Sequence, residues 1–334
     1  MTSVDTAGLD QATGAIVAAG PDGAGPPPVR GARSSRPRRR GGLTPYALLT
    51  PALIVLALIV GWPLVQLVIT SFQEFGRAQV FGATPAWVWF ENYADVLADP
   101  VFHAVLARTV VFAAACVVTT MVIGTLIALM MARLPKAFRL LLSIGMLLAW
   151  AMPALTATVV WGWMFDTAYG VVNHVLADWF GLEEYAQHSW LIDPLSFFLV
   201  AGLIIVWGAV PFVAFTLYAG LSQVPDEVLE AAQLDGAGGF ARFRLIVFPY
   251  LKPIFLVVTI LQLIWDLKVF TQIFALQDIG GIRALTSTLG VYIYQTSIAG
   301  GDFGHGGAIA VITAVLLMSI SIFYIRHLTK QEEL

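Results

Sequence analysis

Asp266 and Lys268, within "LQLIWDLKVFTQIF", stand out first as side chains that could do chemistry. They are the ionisable pair inside a long apolar run, where charge marks a functional site, a substrate pathway or a structural pairing. Two positions apart, they do not share a helix face, so a direct salt bridge is not expected. One can face a pore while the other meets a neighbouring helix or a companion chain; structural pairing and substrate contact both stay open. A second charged group has the chemistry of docking rather than catalysis. Glu230 and Asp235 flank the small Ala231 and Ala232; small residues let a partner approach closely, and carboxylates can pair with its basic groups. His103, His174, His188, His305 and His327 are scattered without metal-ligand spacing. Cys116 is the one cysteine, so neither an intrachain disulfide nor a cysteine metal site is expected. It reads as a small buried hydrophobe.

The elements that must position these residues are membrane spans. The chain of 334 residues is 58% hydrophobic and 12% charged, with a mean hydropathy of +0.81, whereas soluble domains carry about a quarter charged residues. Apolar runs long enough to span a bilayer recur at Leu43–Phe72, Thr109–Ala132, Leu140–Phe165, Pro194–Val224, Pro253–Leu276 and Phe303–Ile325. The expectation is an all-α polytopic membrane protein with six transmembrane helices. Lys and Arg choose its direction. With the N-terminus inside, the inner segments hold the N-terminal arginines, Arg133, Lys136, Arg139, Arg242, Arg244, Lys252, Arg326 and Lys330, against Arg77, Arg108 and Arg283 outside. The positive-inside rule then places both termini in the cytoplasm. Trp87, Trp89, Trp161, Trp163, Trp179 and Trp190 fall in outer loops or at span ends, as an aromatic belt does; sugar stacking is the alternative reading.

Residues 1–42 are rich in Gly, Pro, Ala and Ser and end in a cluster of arginines. They read as a disordered, basic cytoplasmic tail before a permease-like membrane domain over 43–330. An uncleaved first span fits better than an export signal, because the apolar run is long and no small-residue cleavage site follows it. The arginines read as a topology determinant beside anionic membrane lipid rather than as a nucleic-acid site.

Between the fourth and fifth runs lies the loop 225–252. In "SQVPDEVLEAAQLDG" Pro225 suits the first helical position, Asp226 and Glu227 suit the first turn, and Gly236 suits a left-handed cap. "GGFARFRLIVFP" restarts as a second short helix, with Pro249 and Pro253 leading into span five. An amphipathic helix lying on lipid is the plainer reading, but the first helix is acidic where lipid-binding helices favour Lys and Arg.

The stretch "EAAQLDGAGGFARFRLIVFPYLKP" resembles the EAA loop of ABC importer permeases. Glu230, Ala231, Ala232, Gly236, Ile246 and Pro249 match its pattern, and Phe248 replaces the usual Leu. "VWGAVPFVAFTLYAGLSQVP" and "TLGVYIYQTSIAGGDFGHGGAIAVI" are similar to carbohydrate-importer permeases of the maltose type, and the resemblance runs from Leu43 to Lys330. "WDLKVFTQIF", with no Gly-Gly-Pro after it, is more similar to permeases for chitobiose and N-acetylglucosamine.

The resemblance implies an ABC importer type I permease fold in a bacterial cell membrane. It implies a second permease subunit as heterodimer partner, two ATP-binding cassette subunits and an extracellular sugar-binding lipoprotein. Glu230, Ala231, Ala232, Asp235 and Gly236 would form the coupling helix, docked in a cleft of the ATPase. The chain would bind no cofactor, ATP and Mg belonging to the ATPases, and it has no GxxxxGK[ST] phosphate loop. By resemblance a sugar site lies on spans four and five, at Ala209 and Phe212 and on the face of Leu263, Ile264 and Leu267. That face is apolar where a sugar needs polar partners, so Trp265 and Asp266 are further candidates.

Rival readings are weaker. A membrane-embedded enzyme needs a convergent polar cluster. A proton- or sodium-coupled carrier usually has inverted repeats and several intramembrane carboxylates. A permease for glycerol phosphate would want an intramembrane arginine.

Overall fold

A computed structural model describes residues 44–332, so the tail expected at 1–42 lies outside the described residues. Among the described residues, 44–55 and 56–332 belong to separate units. Helix α1 (Thr44–Leu56), a π-helical turn (Ala57–Gly61) and α2 (Trp62–Ser71) come first. A small antiparallel ribbon follows, β1 (Gln73–Glu74) pairing with β2 (Ala86–Trp87) around α3 (Arg77–Val80). Next come α4 (Glu91–Ala98), α5 (Pro100–Arg133), α6 (Lys136–Ala151), α7 (Ala154–Met164), α8 (Val171–His174) and α9 (Pro194–Leu221). The remainder is α10 (Asp226–Leu234), α11 (Gly239–Arg242), α12 (Phe248–Leu267), α13 (Thr271–Ile279), α14 (Arg283–Thr286), α15 (Leu289–Tyr294) and α16 (Phe303–Glu332).

Among the described residues, five helical stretches are long and apolar enough to cross a membrane, six if the bent pair α6–α7 counts as one. The expected third span, Leu140–Phe165, is therefore corrected: it is a broken span, bent by 100° between α6 and α7. Pro153 causes the break. A residue before proline is pushed out of the α region, and Met152 sits extended at φ −71°, ψ 127°. The second expected span starts earlier than Thr109. Asp99 caps α5, accepting from Val101 N at 2.8 Å, and Pro100 opens the helix.

The fifth span needs the opposite correction. The segment 239–267 is helical throughout, because a π-helical turn at Phe243–Val247 joins α11 to α12. "GGFARFRLIVFP" is thus the start of span five and not a separate helix across the membrane face. Lys268 ends α12, outside its last helical residue, and the chain turns before α13.

Helices α5 and α9 form the central crossing. Within lipid, packing rather than water exclusion holds helices together, and small residues let backbones close in. A Cβ on Gly124 would lie 2.6 Å from Val213 Cγ1. Toward one end of the crossing, Phe197, Val200 and Ile204 of α9 pack with Phe112 and Cys116 of α5 and Ile273 of α13. Cys116 is the buried hydrophobe its position suggests. The outward faces stay apolar, as at Val111, Val118 and Leu126 of α5, which suits contact with lipid.

Two polar side chains tie the start of α5 to α15. Thr109 Oγ1 donates to Val105 O at 2.7 Å and accepts from Leu289 N at 2.9 Å, pinning α15 to α5. Tyr292 Oη donates to Asp99 Oδ2 at 2.9 Å. Burial above all, helped by that bond to Asp99 and its charge, pushes the Tyr292 hydroxyl up to about 12.

Candidate functional site

Helix α10 is built by its ends. Pro225 is the N-cap, extended at φ −61°, ψ 133°, one position earlier than the sequence suggests, and Asp226 and Glu227 occupy the first turn. Acidic groups there complement the positive end of the helix dipole. At the other end Gly236 takes φ +79°. Gly236 N donates to Gln233 O at 3.1 Å and Ala237 N to Ala232 O at 2.9 Å. These two bonds make a Schellman termination, which needs a residue that tolerates the left-handed conformation. Arg242 Nη1 donates to Gln233 Oε1 at 3.0 Å and ties the start of the next helix to α10.

Glu230, Ala231, Asp235 and Gly236 are exposed, and Ala232 is half-buried. Beside them Leu234 is 89% and Phe240 77% exposed. The surface is therefore a short acidic helix with two bare apolar side chains, the mixture an interface core and rim require. Leu234 and Phe240 were absent from the sequence reading. Their signal is an apolar residue on the outer side of an otherwise polar loop.

The second site is a cavity of about 430 Å³ where α9, α12 and the α6–α7 break meet. Ala209 and Phe212 of α9 and Trp265 and Asp266 of α12 all line it. The Phe212 and Trp265 rings lie 5.2 Å apart, tilted by 59°. Trp150, Met152 and Ala154 bring the broken backbone to the same cavity. Non-helical backbone at membrane depth is tolerated where it is buried in protein or lines a cavity.

Leu263, Ile264 and Leu267 do not line this cavity. Leu263 packs into the cluster around Val117, Val213 and Leu217, and Leu267 is buried. The cavity face of α12 is Gln262, Trp265 and Asp266, at helical spacings of three and four, and Val269 lines the cavity just past the helix end. At about 100° per residue that face is centred roughly 150° from the face of Leu263, Ile264 and Leu267 chosen in sequence, close to the opposite side of the helix. Gln262 was missed; its signal is its place one turn before Asp266. Gln262 Nε2 donates to Asp266 Oδ1 at 3.0 Å. Gln262 is 1% and Asp266 3% exposed. Lys268 is exposed and lines the cavity too. It makes no ion pair with Asp266; the ion pairs among the described residues join other side chains.

Comparison with known proteins agrees with this architecture. Residues 124–331 match the family described as binding-protein-dependent transport system inner membrane component. The diacetylchitobiose uptake system permease protein DasB of Streptomyces coelicolor is 43% identical over 91% of this chain and 92% of its own. The sulfoquinovosyl glycerol transport system permease protein SmoG of Agrobacterium fabrum is 35% identical over 84% and 88%. Among solved structures, a chain of a bacterial ABC transporter that imports the acidic polysaccharide alginate superposes with a TM-score of 0.73. It shares 20% identity and covers 86% of this chain and 95% of its own.

Proposed function

The chain belongs to the family of binding-protein-dependent transport system inner membrane components, and from that premise we propose that it is a permease subunit of an ATP-driven sugar importer. It forms half of the translocation pathway, and its cargo is an oligosaccharide or amino sugar, with diacetylchitobiose the first candidate from the 43% identical relative. The companion subunits are a second, different permease, two ATP-binding cassette subunits that hold ATP and Mg²⁺, and an extracellular sugar-binding lipoprotein. Both termini lie in the cytoplasm, as the distribution of Lys and Arg favours.

The observation that carries the reading is helix α10. It is short, acidic, fixed at both ends and bare along Glu230, Ala231, Leu234 and Asp235. A helix of this kind is made to sit in a groove of another protein. We assign it as the coupling helix that enters a cleft of the ATPase. Nucleotide-driven closure of two ATPases then moves α10, and the direct helical continuity of 239–267 carries that movement toward the cavity. There Ala209, Phe212, Trp265 and Asp266 form the substrate pathway: aromatic faces for sugar rings, a carboxyl for their donors. Leu263, Ile264 and Leu267 support that wall from behind.

The test is uptake of labelled diacetylchitobiose by cells lacking this chain, complemented with wild type or with Glu230→Lys. Uptake that returns with wild type alone, at equal amounts of both proteins in the membrane, supports the reading. Full uptake with Glu230→Lys removes α10 as the coupling element. Undiminished uptake without the chain removes the function.

A further inference from the structure

The cavity between α9 and α12 carries a hydrogen-bonding imbalance. Gln262 Nε2 and Asp266 Oδ1 are joined, but Asp266 Oδ2 and Gln262 Oε1 are buried without a hydrogen-bond partner among the described residues. Buried polar atoms in folded proteins are almost always paired. Two unmatched oxygens one helical turn apart, on the floor of one cavity, are therefore the signature of a group that arrives from elsewhere. An amide oxygen and an ionised carboxylate oxygen are acceptors, so a visitor that pairs both brings donors. The walls are aromatic, with Phe212, Trp265, Trp150 and Trp207 lining the space, and such faces suit the C–H face of a sugar ring.

We propose that Gln262 and Asp266 form a donor-reading subsite that accepts neutral or amino sugars through O–H and N–H groups and refuses sugars bearing an acid group. The proposal rests on the sugar-pathway reading of this cavity and adds which sugars pass. A carboxylate or sulfonate on the sugar would set its own charged acceptor oxygens against a buried carboxylate and an amide oxygen. Among the described residues Lys268 is the one cation lining the cavity. It is exposed just past the end of α12, two positions from Asp266 and without an ion pair to it, so it does not share the face that carries the two oxygens.

The experiment uses the assembled importer without its binding protein, in lipid nanodiscs, so that selectivity of the binding protein does not enter. Quenching of tryptophan fluorescence is titrated with three disaccharides of equal length: diacetylchitobiose, de-acetylated chitobiose and a uronic acid disaccharide. The expected wild-type result is binding of the first two and at least about tenfold weaker binding of the uronate, since like charges set against each other in a buried site cost affinity. Asp266→Asn keeps the size of the side chain and removes its charge. It should weaken the amino disaccharide by about tenfold or more and narrow the gap to the uronate.

Equal wild-type affinity for all three sugars overturns the proposal while leaving the sugar pathway standing, and this comparison needs no variant. Unchanged affinities in Asp266→Asn, with looser assembly of the two permeases, overturn it in favour of a companion side chain on Asp266. Binding of none of the three takes down the sugar pathway, and the proposal with it.

Discussion

Gln262 donates to Asp266 across 3.0 Å, one turn apart on the same face of α12 and both closed from solvent. This bond is the anchor for a carboxyl held within a membrane-spanning helix, where an unpaired polar group is costly. Gln262→Leu should destabilise the purified assembly by about 1–3 kcal/mol, seen as a lower half-denaturation temperature. Replacing both partners, Gln262→Leu with Asp266→Leu, should recover most of that loss, because an apolar pair leaves nothing unsatisfied. Sugar uptake should stay low in the double variant. A double variant less stable than Gln262→Leu alone would contradict the pairing.

Gly236 closes α10 at φ +79°, a conformation that places a Cβ against the following carbonyl. Gly236→Ala should cost about 1–2 kcal/mol locally and lower uptake at equal membrane content, judged by immunoblot. Gly236→Asn should retain most of the activity, since Asn visits this region more readily than Ala. Equal uptake in all three proteins would show that the termination of α10 is irrelevant to transport.

The α5–α9 crossing has no room for one methyl group at Gly124, where a Cβ would sit 2.6 Å from Val213 Cγ1. Gly124→Ala should lower stability by about 1–3 kcal/mol through overpacking. Adding Val213→Ala should relieve part of that loss. The pair of half-denaturation temperatures tests the contact, and simple additivity would argue against it.

Pro153 sets the break between α6 and α7. A straight helix from Leu140 to Trp163 would span roughly 35 Å at 1.5 Å per residue. Both positions are exposed and accept spin labels. The measured distance in the native protein should fall well short of that value, because the pair is bent by 100°. Pro153→Ala should move the distribution toward longer distances and reduce uptake, since Met152 and Ala154 line the cavity.

Much of the fold was legible in the sequence because spans obey a simple rule of length and apolarity. Helices α5, α9 and α16 fall on runs that could be read without a structure, and Gly236 announced the end of α10. Pro153 was visible too, but a hydropathy count passes over proline, so the break was lost. The join at Phe243–Val247 was hidden for the opposite reason: Pro249 and Pro253 look like breakers, yet Pro249 follows directly on a π-helical turn, where the regular i→i−4 ladder is already interrupted. The cavity face was misjudged because it was carried over by resemblance; Leu263 instead packs into the cluster around Val117 and Val213, and Leu267 is buried. The polar residues of the same helix, Gln262 and Asp266, are the ones that line the cavity.

The central claim is that α10 transmits the ATPase cycle to a sugar pathway inside this chain and its companion. ATP hydrolysis by the reconstituted importer, with and without sugar-loaded binding protein, tests it most directly. The account predicts strong stimulation in the wild type and its loss in Glu230→Lys, with both permeases still assembled in the membrane. Full stimulation in Glu230→Lys, or hydrolysis that never responds to the loaded binding protein, would contradict it.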